Sequence, residues 1–439
     1  MFDLSVTDPT AATFPDLLQK FHHALYRHNV EREGSIILCR AASQGCVSLM
    51  ETLPDKHHAG VNAVHQGSTL LIKAVTSGSL AAVEQVLSRK ELNLNHLDQG
   101  NRALWYSAAQ KDPAIAQRLL RQPGIDINAR LRAKSGETLT IFNEAVIRNN
   151  LEMVEVLLAD ERTDPNIAGE NLRTRQTPLL CATDRGHVSI VQLLLEDSRV
   201  DCAYQDDRGC NALRCAAENG DVLIVDLLLA DGRIDVNAQN RHGSTALHLA
   251  AKGGHAGAVN RLLMAKTIDI NAQNRKGRTA LWNATRQGHG QIASRLLIEE
   301  DVEVNAIGTG ESTERSTSLH HAVEERNLAL VHQLLTKSTA DPNVPDEDGC
   351  TPLWWAAYAG DLLIVMSLLD DPRTQPHIRD NNGLAPVDIA RSRNEYEVVC
   401  LLTNCRHHCP GVIFAAVMLY LLVAVVKWAL ARCHLLEWR

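Results

Sequence analysis

The stretch Thr245-Ala-Leu-His-Leu-Ala-Ala-Lys-Gly-Gly-His255, followed by Leu262-Leu263, carries the pattern that decides the fold. Leu247 and the Ala250-Ala251 pair fall on one stripe of a short helix. Val259 and the Leu pair fall on one stripe of a second helix. Gly254 supplies the tight turn between the two helices. One helix pair cannot bury both stripes by itself, so the pattern requires neighbouring copies.

The same pattern recurs along the chain at a fixed spacing. Copies begin at Thr177, Asn211, Thr245 and Thr279, which are 34 residues apart, and Thr351 is followed by a weaker copy 34 residues later. Chance does not produce such a register, and we predict about eleven units between residues 35 and 403. The other, less regular copies begin near Ile36, Thr69, Arg102, Thr140 and Thr317.

This motif resembles that of the ankyrin-repeat proteins, T-P-L-H-x-A with a period of 33 residues. Thr177-Pro178-Leu179 and Thr245–Ala250 match it, and the resemblance covers most of the chain. It implies an all-α, right-handed solenoid of helix–turn–helix units with hairpin-like turns. It also implies a concave groove, lined by first helices and turn tips, that binds a protein. The chain departs from the motif at Arg102, Lys111, Phe142, Asn149, Arg326 and Asn394.

Two kinds of connection separate the units. Stretches such as Asp235-Val-Asn237-Ala238, followed by polar residues and glycine, are typical of hairpin-like turns that project sideways. The longer intervals before three of the units contain the polar segments 130–137, 169–176 and 308–316. Insertions in a repeat array form loops on one face, so we predict loops there.

Composition narrows the class of function. The net charge of -8 gives no basic footprint for a phosphate backbone, so we expect no nucleic acid partner. The chain has 11 cysteines. None forms a C-x-x-C pair, which indicates reduced thiols and a cytosolic environment. The N-terminus lacks a basic region followed by an apolar run, so no secretory signal is predicted.

The C-terminus differs from the repeats. No residue from Gly411 to Val426 is charged, and Lys427 and Trp428 follow. A helix over 411–431 is long enough to cross a bilayer, and we predict a tail anchor with the repeats facing the cytoplasm. The alternative is a cytoplasmic protein whose C-terminal helix caps the stack. The predicted domains are an N-terminal helical cap (1–34), the repeats (35–403), a juxtamembrane linker (404–410), the anchor (411–431) and a short tail (432–439).

The sequence predicts no catalytic residue, cofactor or metal site. Histidines such as His248 and His320 stand at repeat positions that packing explains, and no nucleophile elbow, kinase signature or His-Glu-x-x-His motif is present. Cys405-Arg-His-His-Cys409 is open to zinc binding, lipidation or a role as unmodified interface cysteines. A rival interpretation places an enzymatic site in the loops 130–137 and 308–316, although these contain few convergent polar groups.

The residues that the register leaves facing the predicted groove are our candidates for partner binding. Trp355 stands one place beyond the motif's His position and is the better aromatic contact, because Trp and Arg often anchor interfaces. Trp282 and Trp354 either pack under the turns or contact the partner. We therefore predict a non-enzymatic, membrane-tethered scaffold for an unknown protein partner; the alternative is a soluble regulator. The candidates at the turn tips are Asp206, Asp207, Arg208, Asn240, Arg241, Asn274, Arg275, Asp346, Glu347, Asp348 and Asp380.

Overall fold

The structure is a computed structural model, and within the residues that it describes the chain forms eleven pairs of short helices. Each pair contains a first helix and a second helix, and tight turns join them where the structure describes the connection, as the repeat pattern predicts. The described residues are 30–52, 61–62, 64–89, 92–97, 102–108, 113–132, 138–170, 175–309 and 315–403.

The chain divides into two compact units, Met1–Asp207 and Arg208–Arg439. The helix pairs described in the first unit are α1 (Val30–Ser43) and α2 (Val47–Thr52), α3 (Leu70–Thr76) and α4 (Leu80–Leu87), α5 (Ala103–Ser107) and α6 (Ala114–Leu120), α7 (Ile141–Ile147) and α8 (Leu151–Leu158), and α9 (Pro178–Asp184) and α10 (Val188–Glu196).

The second unit continues the series with six described pairs. They are α11 (Ala212–Asn219) and α12 (Val222–Asp231), α13 (Ala246–Gly253) and α14 (Ala256–Leu263), α15 (Ala280–Arg286) and α16 (Gly290–Leu296), α17 (Ser318–Glu324) and α18 (Leu328–Thr336), α19 (Pro352–Ala359) and α20 (Leu362–Leu369), and α21 (Pro386–Ser392) and α22 (Tyr396–Leu402).

Side chains at the helix ends explain where the first helices begin and stop. The Thr279 hydroxyl accepts the Trp282 N–H at 3.2 Å, which satisfies one of the unpaired donors at the start of α15. At the other end the backbone turns left-handed, as at Gly254 with φ 78°. Asn149, Arg326 and Asn394 replace this glycine and still adopt positive φ, between 52° and 62°. The turn therefore forms in these repeats despite the steric cost of a side chain.

Packing follows the alanine and leucine positions. Each first helix of the second unit packs against the next first helix, and Ala250 and Ala251 are fully buried there, so the backbones approach closely. In the second helices Leu262 is fully buried, whereas Leu263 is half-buried. In most repeats only the first leucine of the pair therefore fills the layer between helices, which refines the expectation that both do.

The three inserted segments carry short antiparallel strands where the sequence predicts loops. In the first unit Leu131–Arg132 (β3), Thr138–Leu139 (β4), Gly169–Glu170 (β5) and Arg175–Gln176 (β6) form one four-stranded sheet. Val64–His65 (β1) pairs with Ser68–Thr69 (β2) in a separate hairpin. In the second unit Gly308–Thr309 (β7) pairs with Arg315–Ser316 (β8). Strands of two residues are too short to show a period of two, so the pattern cannot predict them.

Asparagine side chains join successive repeats, and we call this feature the asparagine ladder. The Asn237 amide donates to the Thr267 carbonyl at 2.6 Å, and its oxygen accepts the Asp269 N–H at 2.8 Å. Each rung thus satisfies one donor and one acceptor of the next repeat's backbone. The rungs with both bonds are Asn95, Asn128 and Asn166 in the first unit and Asn237, Asn271, Asn305 and Asn343 in the second.

An Asp-x-Arg motif after the second helix makes a further link. The Arg373 guanidinium donates to the Leu335 and Ala340 carbonyls, both at 2.7 Å, and so caps the end of the preceding second helix. Asp371 holds that guanidinium, and the hydrogen bond from Arg373 lowers the pKa of the Asp371 carboxyl. Arg162 and Arg199 bridge to the preceding repeat in the same way in the first unit.

The predicted membrane anchor needs a correction. Residues 411–431, like the linker 404–410, the tail 432–439 and Cys405 and Cys409, lie outside the described residues. In the part of the chain that the structure describes, no helix is long and apolar enough to cross a membrane. On this finding, the predicted membrane-anchored localisation is wrong. The predicted domain boundaries stay predictions.

Candidate functional site

The turn tips of the second unit are residues 240–243, 274–277, 346–349 and 380–383, each just before a first helix. In the first of them the Asn240 carbonyl accepts the Gly243 N–H at 2.8 Å, while the Asn240 side-chain oxygen accepts the His242 and Ser244 N–H groups at 2.8 and 2.9 Å. The amide oxygen of Asn240 is thus used in holding the turn closed.

The first residue of each of the other tips is also polar, and its side chain also accepts backbone N–H groups of its own turn. Asn274 accepts the N–H groups of Lys276 and Arg278. Asp346 and Asp380 each accept two backbone N–H groups, at 2.8 to 3.0 Å. These four partner-binding candidates therefore have a turn-holding role that explains their presence without a partner. Asp206, from the first unit, is buried.

Neighbouring tips touch each other through their backbones. The Arg275 N–H donates to the His242 carbonyl at 2.9 Å, and the Asn381 N–H donates to the Asp348 carbonyl at 2.8 Å. Gly243 has φ 77°, and a Cβ there would lie 2.9 Å from the Arg275 nitrogen. Only glycine fits both the left-handed backbone and this close approach. The tips therefore stack in two pairs, 240–243 with 274–277 and 346–349 with 380–383, and we call the four tips the row.

The remaining tip candidates point their charges outward. Arg208, Arg241, Arg275, Glu347 and Asp348 are exposed in the second unit, and so is Asp207 in the first. The sign changes along the row: the tips at 240–243 and 274–277 carry positive side chains, whereas the tip at 346–349 carries three carboxylates. A partner that contacts the whole row meets both signs.

Trp355 lies half-buried at the edge of an aromatic cluster on α19. Its indole N–H donates to Asp346 Oδ2 at 2.7 Å, so it is tied to a neighbouring tip. Trp354 stacks on Tyr358 with 5.5 Å between ring centroids, and the Arg393 guanidinium lies 4.2 Å above the Tyr358 ring. Trp354 is only 8% exposed, whereas Trp355 and Tyr358 keep part of their surface open.

Side chains at the motif's His position reach the following turn. His248 and His320 place Nε2 at 2.8 and 3.1 Å from the carbonyls of Arg278 and Cys350. Their Nδ1 atoms lie 3.3 and 3.2 Å from the N–H groups of Thr245 and Thr317. Since a carbonyl only accepts and an N–H only donates, both rings must be neutral with the proton on Nε2. These histidines are structural, as the repeat register predicts.

Burial reinforces this neutral form. It lowers the pKa of His320 from 6.5 to about 4 and also lowers the pKa of His248. Between pH 6.5 and pH 4 the unfolded chain binds a proton at His320 that the folded chain does not. The stabilisation is therefore complete above pH 6.5 and is lost as the pH falls towards 4.

We expect acid to weaken the fold through these histidines, by up to roughly 3 kcal/mol at His320. Urea denaturation at pH 7.5 and pH 5, followed by tryptophan fluorescence, measures the loss. The matched variant is His320→Asn, because Asn143 at the equivalent position accepts the Thr140 N–H and donates to the Ile167 carbonyl without titrating. Its unfolding free energy should change less with pH. An unaltered pH dependence in His320→Asn would contradict the assignment.

A polar chain links the inserted hairpin β7–β8 to two helices. Ser316 Oγ lies 2.9 Å from His321 Nε2, His321 Nδ1 lies 3.4 Å from Glu324, and Arg286 pairs with Glu324 at 3.0 Å. The order of groups is that of a serine hydrolase triad. However, Ser316 and His321 are 9% and 4% exposed, so a substrate carbonyl has no access to the hydroxyl. The chain of bonds fastens the hairpin.

Other groups in the described residues offer little chemistry. No set of three or more His, Cys, Asp or Glu side chains gathers there as a metal site. The Cys350 thiol lies beside the acidic tip, where burial and the neighbouring carboxylates raise its pKa to about 12, so it is a poor nucleophile. The predicted N-terminal helical cap (1–34) lies outside the described part as far as residue 29.

Comparison with protein families identifies the repeat. A family model described as ankyrin repeats matches residues 22–130, 142–240, 232–308 and 319–410. Among solved structures, one titled "Crystal structure of the ankyrin repeat domain of Bcl-3: a unique member of the IkappaB protein family" is 26% identical. The match covers 51% of this chain and 98% of that one, with a TM-score of 0.45. No curated protein sequence matches the chain.

Proposed function

Because this chain belongs to the ankyrin-repeat family, we propose that it is a non-enzymatic scaffold that binds a protein partner through the turn tips and first-helix faces of its repeats. Ankyrin repeats are protein interaction modules, and the helix pairs, caps and glycine turns described above are those of such a module. The membrane-tethered form of this idea is dropped with the anchor.

The observation that carries the proposal is the stacked row of tips. Backbone contacts such as that between Arg275 and His242 fix the row, while charged side chains project from it. A fixed surface loses little conformational freedom on binding, which favours affinity. The half-buried Trp355 adds an aromatic side chain next to the acidic tip, of the kind that often dominates interface energy.

The proposal includes the alternative interpretation of the C-terminus, in which the protein is a regulator whose C-terminal segment caps the repeats. The last described helix supports this cap. Tyr396 in α22 is 72% exposed, and Val399 and Leu402 are only half-buried, because no helix pair follows among the described residues. End repeats of such arrays need a cover over their apolar face. The segment that follows Thr403 in the sequence is apolar enough to supply it.

We expect capture of partner proteins to depend on the tips. The test uses the tagged full-length chain in a cell extract, with quantitative mass spectrometry of bound proteins. Reversing Glu347 and Asp348 to lysine should remove specific partners by about tenfold or more, since reversed charges face the same partner groups. Asp346 is left intact, because its carboxylate holds the turn and Trp355.

The control reverses two exposed acids beside second helices, Glu300→Lys and Asp370→Lys, with the same change in net charge. This variant should retain the partners, and all variants should keep the wild-type far-UV circular dichroism. If every captured protein survives the tip reversal, and also survives Arg241→Glu and Trp355→Ala, then binding does not use this surface and the proposal fails.

A further inference from the structure

We propose that the tips at 240–243 and 274–277 bind an acidic segment of a partner protein, with Arg241 and Arg275 contacting its carboxylates. This inference rests on the proposed protein-binding function and specifies the chemistry of the partner at one part of the row.

The charge of these two tips is the first argument. Both read Asn-Arg, then His242 or Lys276, then glycine, so neither contains a carboxylate. Arg241 and Arg275 are exposed, and neither forms an ion pair with any described residue. Other arginines of the same unit are paired, as Arg233 is with Asp231 at 2.7 Å. The chain thus leaves two guanidinium groups on adjacent tips for an external anion.

The geometry of the tips is the second argument. The Asn240 and Asn274 side chains lock each turn, and the Arg275 N–H bonds to the backbone of the preceding tip at His242. The two arginine side chains therefore start from backbones that are fixed relative to each other. Two guanidinium groups on a fixed backbone spacing can contact successive acidic side chains of one segment, with no backbone ordering cost at the tips.

Two carboxylates of these repeats are held in the ladder turns and form no ion pair with the tip arginines. Asp235 and Asp269 accept the N–H groups of Asn237 and Asn271 at 2.9 and 3.0 Å, within the ladder turns. Glu347 and Asp348 lie on the next tip, at 346–349, and repel an acidic segment there. The row therefore favours a segment that is acidic opposite Arg241 and Arg275 and not acidic opposite the tip at 346–349.

A protein segment fits this surface better than a nucleic acid does. A phosphate backbone carries negative charge along its whole length, and the acidic tip at 346–349 opposes its continuation. The net charge of -8 opposes it further. An acidic stretch in a polypeptide can be short enough to cover two tips and end there.

The test measures fluorescence anisotropy of a labelled oligo-glutamate peptide of about twelve residues with the full-length chain at low salt. An oligo-glutamine peptide of equal length is the neutral probe. Arg241→Glu combined with Arg275→Glu should weaken oligo-glutamate binding at least about tenfold. The matched control, Lys252→Glu combined with Lys266→Glu, changes the net charge equally at exposed sites of the same repeats. It should change binding less than about twofold.

Several results would overturn the inference. They are no binding of oligo-glutamate by the wild type, equal binding of the neutral probe, or equal losses in both double variants. Tighter binding of a single-stranded oligonucleotide that the tip variant also loses would point to nucleic acid instead. If cellular partners still depend on the tips while oligo-glutamate does not bind, this inference fails and the protein-binding function stands.

Discussion

Replacing Trp282 with alanine should lower the free energy of unfolding by about 3–5 kcal/mol. The indole is 1% exposed, and a Cβ built on Gly308 would lie within 2.6 Å of it, so hairpin backbone packs directly on the ring. His321 meets it edge-on with 4.8 Å between centroids. The indole N–H also donates to the Ser316 carbonyl at 2.9 Å. Alanine leaves a cavity and removes the hydrogen bond to the buried Ser316 carbonyl.

Equilibrium denaturation in urea measures this change, and Trp282→Phe separates its two causes. Phenylalanine keeps most of the apolar contact and loses the hydrogen bond, so it should cost roughly 1–3 kcal/mol. A loss below about 1 kcal/mol in Trp282→Ala would show that the ring is not the packing centre between α15 and the hairpin β7–β8.

The second large effect is expected at Leu228, which is 1% exposed in α12. Leu228→Ala should cost about 2–5 kcal/mol, because Leu228 is the first and buried leucine of its pair and the layer closes only partly around the gap. Leu223→Ala in the same helix is the matched control, since Leu223 is 64% exposed. That change should stay within about 0.5 kcal/mol. A change at Leu228 as small as the control's would mean that the register of this repeat is wrong.

The sequence predicts well those features that depend on apolar residues spaced three or four positions apart in a helix. The apolar stripes predict the helix pairs, the alanine pair predicts close packing of first helices, and glycine predicts the turns. Even at Arg326 and Asn394 the backbone takes the left-handed conformation expected of glycine. These features depend on contacts between neighbours in the chain or on one interface that every repeat shares. The sequence of one repeat therefore predicts them for all repeats.

Other features involve partners about one repeat away, and the apolar pattern does not contain them. In the sequence, asparagine at the third place of Asp-x-Asn indicates only a turn. The structure shows that its side chain also bonds to the backbone of the next repeat. The Asp-x-Arg motif has a regular place after the second helix and could have been found by aligning the polar residues of the repeats. At the tips, the repeat register selected Asn240 and Asp346 as groove-facing residues, whereas hydrogen bonding shows that they hold turns.

The prediction for the C-terminus erred for a different reason. Length and apolarity satisfy the requirement for a bilayer span, yet the same apolarity suits a cover for the last helix pair. The sequence of this segment does not distinguish a bilayer from the apolar surface of the last helix pair. The absence of a spanning helix from the described residues removes the support for the first interpretation.

The asparagine ladder also limits how an array of this kind can change its length. Each rung joins a donor and an acceptor to backbone groups one repeat further on, as Asn271 does with Asp301 and Glu303. Adding or removing one whole unit leaves every rung with a partner of the same kind, since only the rung at the junction faces a new repeat. Adding a fraction of a unit leaves at least one asparagine facing the wrong backbone. Duplication in whole repeats therefore keeps the hydrogen bonding intact, and inserted residues are tolerated only between rungs, where the hairpin β7–β8 lies.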